Sequence, residues 1–143
     1  MENDTVKLLR ECDAGLKMGA ESIGEVLDYV KNDELRETLA EGKRSHERLM
    51  SRTEIMLSQN GVDGKEPPSV AKGMSWIKTN VKLAMNDSDK TIADLMTDGC
   101  NMGVKSLYRY LNQYKAADSE ARAVTDDIIR LEAGIADSMH RYL

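Results

Sequence analysis

Apolar side chains recur every three or four positions through four long stretches of the chain, the spacing of one helical face. The first predicts a helix over about 4–31, with Val6, Leu9, Leu16, Ala20, Ile23, Leu27 and Val30 in one stripe. Asn3 or Asp4 suits its start, because a short polar side chain can accept a hydrogen bond from the first helical turn. Asn32 and Asp33 form a tight connection to a second helix over about 34–59. Its stripe is Leu35, Leu39, Gly42, His46, Leu49, Thr53 and Met56. Asn60-Gly61 ends it, since both residues tolerate positive φ. Two more long helices are expected over about 90–115 and 119–142. The third carries Ala93, Met96, Cys100, Gly103, Leu107, Leu111 and Tyr114 inward. The fourth carries Ala121, Val124, Ile128, Leu131, Ile135, Met139 and Tyr142, with Asp118 or Ser119 as its cap.

Between the two pairs lies a loop over about 61–69 containing Gly61, Gly64, Pro67 and Pro68, followed by a shorter helix over about 70–85. A helix of that length spans roughly 24 Å, enough to carry the chain back along a bundle. The expected fold is therefore all-α: one domain over 1–143, an up-down-down-up four-helix bundle with a short extra helix in the crossover.

Composition narrows the chemistry. Hydrophobic residues make up 41% and charged residues 31%, a globular balance. There is no Phe and there are nine Met, so the core rests on aliphatic side chains and methionine. The net charge of −5 and the absence of a basic stripe argue against nucleic acid as a partner. No apolar run approaches the roughly 20 residues of a membrane span. The start lacks the basic-then-apolar order of a signal peptide. Cys12 and Cys100 fall inside helical patterns and are expected as buried free thiols, which points to a reducing cytoplasm.

The first and third helices share a pattern. Gly15-Leu16-Lys17-Met18-Gly19-Ala20-Glu21-Ser22-Ile23 and Gly99-Cys100-Asn101-Met102-Gly103-Val104-Lys105-Ser106-Leu107 both read Gly-x-x-Met-Gly-x-x-Ser-apolar. Leu27 and Leu111 extend the match. A helical glycine costs about 1 kcal/mol relative to alanine, so two per copy ask for a reason. Close helix packing along a groove of small residues is the expected one; a ligand in that groove is the alternative.

Two helical hairpins with an internal repeat and a long crossover resemble the ferritin-like superfamily, in particular a bacterial branch with a degenerate di-iron site, some of whose members are linked to stress. The resemblance implies a site in which the first and third helices each give a Glu and the second and fourth each give Glu-x-x-His. This chain departs from that pattern. Lys43 stands three before His46, and Ile135 stands three after Glu132 where a histidine would be. Asp137-x-x-His140 has related spacing, but the stripe through Leu131, Ile135 and Met139 puts His140 on the outer face.

A partial constellation remains. Folding the first hairpin about residues 31–32 brings His46 level with Lys17 and about one turn from Asp13. An Asp13–His46 hydrogen bond would satisfy two groups that are costly to bury alone. Adding Glu21 or Glu132 gives the sharper reading, a mononuclear iron or zinc site with His46 as the central ligand. Copper(I) on Cys12, Cys100, Met18 and Met102 is a third arrangement of soft ligands. No nucleophile–base pair and no phosphate loop is present. The expectation is a bundle without a cofactor that acts through protein contacts as a homodimer rather than as an enzyme. Trp76 on the short helix, or the third-helix tyrosines Tyr108, Tyr110 and Tyr114, would supply interface area. The alternative is a divergent metal-binding, stress-related protein using His46.

Overall fold

The structure, a computed structural model, describes residues 3–63 and 88–143. The described residues form four long helices and no strand: α1 (Asp4–Leu27), α2 (Asp33–Gln59), α3 (Ser88–Gln113) and α4 (Ser119–Met139), with a 3-10 turn over His140–Tyr142. The short helix expected at about 70–85, and Trp76 on it, lie outside the described residues.

The helices begin where side-chain caps allow. Asn3 Oδ1 accepts from the Val6 N–H at 2.9 Å, Asn32 Oδ1 from Leu35 N–H at 2.9 Å, and Asp118 Oδ1 from Ala121 N–H at 2.8 Å. α2 stops at Asn60, and Gly61 follows at φ 73°, a conformation that only glycine adopts without strain. α1 ends at Leu27, four residues short of the expected end at about residue 31. Tyr29 N–H bonds back to Val26 O and Val30 N–H to Leu27 O, tightening the last turn, while Val30 stays buried beyond it.

The chain packs as two hairpins, α1 with α2 and α3 with α4, joined face to face through α2–α4, α1–α4 and α1–α3 contacts. Polar contacts tie the hairpins at both ends. The Asp89 carboxylate at the start of α3 accepts from the backbone N–H groups of Lys31 and Asn32, at 2.8 and 3.0 Å. Arg141 pairs with Glu34 at 2.8 Å at the same end. At the opposite end Asp4 accepts from Ala116 N–H at 3.0 Å, and Thr5 Oγ1 from Asp118 N–H at 2.8 Å.

The interior falls into two apolar clusters. One gathers Leu8, Leu9, Cys12, Leu16, Leu57, Val124 and Ile128 with their neighbours. The other gathers Ile23, Val26, Leu35, Leu39, Ile92, Met96, Ile135 and Met139 with theirs. Each side chain shielded from water at this scale contributes about 1.5–3 kcal/mol, so burial of these aliphatic stripes supplies most of the driving force. Between the two clusters sits a polar waist.

Candidate functional site

The waist is built from one residue type per helix face. His46, on the buried stripe of α2, is 1% exposed. Its Nδ1 lies 2.7 Å from the Gly42 carbonyl one turn back, so Nδ1 carries a proton and donates. Its Nε2 lies 2.6 Å from Glu132 Oε1 on α4. The Cys100 thiol on α3 lies close enough to feel the same Glu132 carboxylate.

Room for this pair comes from the internal repeat. A Cβ on Gly19 would stand 2.5 Å from His46 Nε2 and 2.6 Å from Cδ2, so the imidazole occupies the space a side chain on α1 would take. A Cβ on Gly103 would stand 3.3 Å from Glu132 Oε2. Gly19 and Gly103 are the equivalent second glycines of the two copies. Each thus makes way for the polar side chain of the helix next to it in its own hairpin, and the two polar side chains then meet. The first glycines behave otherwise. Gly15 and Gly99 have no atom within 4 Å of a Cβ position, so the expected groove of two glycines per copy is a single inward notch per helix. The first glycines face outward.

Electrostatics favour a charged ring. Burial disfavours the imidazolium, but the hydrogen bond and charge of Glu132 and the Gly42 carbonyl together outweigh it. They hold the His46 pKa above the usual histidine value. The raised pKa favours the imidazolium, the form that donates through both nitrogens, one to a carboxylate and one to a carbonyl. Burial followed by the neighbouring Glu132 charge pushes the Cys100 thiol far up, and Cys12, buried beside Thr125 Oγ1 at 3.2 Å, is pushed up to about 12. Both cysteines are free thiols held in their protonated form.

The remaining candidates lie elsewhere. Asp13, 0% exposed, does not reach His46: its Oδ2 pairs with Lys17 Nζ at 3.0 Å, and Lys17 in turn approaches Glu54 at 3.5 Å. The i, i+4 spacing of Asp13 and Lys17 on one helix is the signal that favours this partner. Glu21 lines an open groove of about 320 Å³ on the outer side of the α1–α2 hairpin, with Lys17, Lys43 and Glu47, and its Oε2 is buried without a hydrogen bond. Lys43 lines the same groove, its Cε 3.3 Å from where a Cβ on Gly24 would stand, and pairs with Glu47 at 3.3 Å. His140 is exposed. Of the four candidate ligands, the structure brings together only His46 and Glu132.

Iron or zinc fits this arrangement poorly. Among the described residues no group of three or more His, Cys, Asp or Glu side chains converges in a way that holds a metal ion. The one inward imidazole spends both nitrogens on protein partners. What the waist can do chemically is hold a buried ion pair across the two hairpins and define their register.

Among the described residues no helix is long and apolar enough to cross a membrane. No protein-family model, curated protein or solved structure matches the chain.

Proposed function

We propose that the protein is a ferritin-like helical bundle without a complete di-iron site, working in a reducing cytoplasm through protein–protein contacts as a homodimer rather than as an enzyme. The end contacts described above support an up-down-down-up course, with α2 and α3 running in the same direction. The repeat supports descent from two like hairpins.

The observation that carries the reading is the closure of the waist. His46 and Glu132 satisfy one another and leave no imidazole nitrogen for a substrate or a metal. Groups able to engage another molecule lie outside instead: Ile55 is 61% exposed, Met102 68% and Tyr108 53%. Multi-angle light scattering over a wide concentration range tests the reading. A mass of two chains is the expected result; a strict monomer at the highest concentration contradicts it.

A further inference from the structure

The outer face of α3 carries a charge pattern that is its own complement when the helix is reversed. Asp94 and Asp98 lie on its N-terminal half, Lys105 and Arg109 on its C-terminal half, and all four are exposed. Steps of three and four place them with Met102 in one stripe about 22 Å long. Reversal about the 101–102 peptide exchanges Asp94 with Arg109 and Asp98 with Lys105. It also leaves the exposed Met102 beside the axis.

One further feature marks this stripe. None of its four charges makes an ion pair with another described residue. The outward charges of α2 behave differently: Glu37 and Glu41 are taken up by Arg44 and Arg48 within the helix, and Arg52 is held by Asp127 on α4.

We infer that the α3 face is the dimer interface, two copies pairing antiparallel about a twofold axis at residues 101–102. Each Asp98 then opposes the Lys105 of its partner and each Asp94 the Arg109, with Met102 between them. Such an isologous contact closes on itself and stops at two chains. The inference rests on the homodimer reading and adds its surface.

Sedimentation equilibrium at low ionic strength on the full chain, D98K, K105D and D98K/K105D tests it, with far-ultraviolet circular dichroism checking that each variant remains helical. Each single reversal sets like charges across the axis and weakens dimerisation by about tenfold or more. The double reversal restores opposite charges and recovers most of the wild-type association. A wild-type dimer indifferent to the single changes, or not recovered by the double change, overturns this interface while leaving the homodimer reading in place. A wild-type chain that stays monomeric overturns both.

Discussion

His46 Nε2 and Glu132 Oε1 stand 2.6 Å apart across the middle of the bundle, joining α2 of one hairpin to α4 of the other. The ion pair is buried, so its two halves depend on each other more than on water. Removing one partner strands a charge in the interior and costs about 3–5 kcal/mol, whereas exchanging both for apolar side chains of similar volume is close to neutral. His46→Ala is therefore expected to lower stability by that amount in urea titrations. The paired change His46→Leu with Glu132→Met should recover most of the loss. A double variant as weak as the single one would show that the pair itself carries net stability.

The same pair sets a pH dependence. The folded-state pKa of His46 lies above the unfolded value, about 6.5, so the folded chain binds the proton more tightly. Its contribution is fully present below about pH 6.5 and is lost as pH rises through the raised value. Thermal unfolding across this range should show stability falling with pH in the wild type and a flatter profile in Glu132→Gln. Equal slopes in the two proteins would remove Glu132 as the cause.

The glycines of the repeat give a contrast within α1 and between α1 and α3. Gly19→Ala forces a methyl group to within 2.5 Å of a ring pinned by two hydrogen bonds, so it destabilises by about 1–3 kcal/mol. Gly103→Ala meets Glu132 Oε2 at 3.3 Å and costs less. Gly15→Ala meets open space and gains about 0.5–1 kcal/mol from helix propensity alone. Denaturant midpoints should follow that order.

Both thiols are predicted to be inert in the native state. Cys12, pushed up to about 12 by burial, and Cys100, pushed higher still by burial and Glu132, present almost no thiolate at pH 8. Ellman's reagent should label neither until denaturant is added, and rapid native labelling would contradict their burial.

The helical stripes were legible in the sequence because burial enforces the 3.6-residue period: Leu9, Leu16, Ala20 and Ile23 on α1, and Ala121, Val124, Ile128 and Ile135 on α4, all lie in the core. The caps were legible to within a residue because Asn and Asp are chosen for backbone reasons. The end of α1 was not, since Val30 keeps the apolar spacing while leaving the helix. His46 was recognisable as buried from its place on the stripe. Its partner was not: helix height put Asp13 beside His46, with Glu21 or Glu132 entering only as further metal ligands, and the local pull of Lys17 on Asp13 decides against that pairing. The repeated glycines held the missing information. A notch at Gly19 and another at Gly103 imply a bulky side chain from each adjacent helix, and the polar residues at those heights are His46 and Glu132.

At the waist His46 and Glu132 satisfy one another and leave neither imidazole nitrogen for a metal. Elemental analysis of protein purified without added chelator tests it most directly. Iron and zinc far below one equivalent per chain, unchanged in His46→Ala, are the predicted result. A full equivalent of either metal that disappears in His46→Ala would contradict the account.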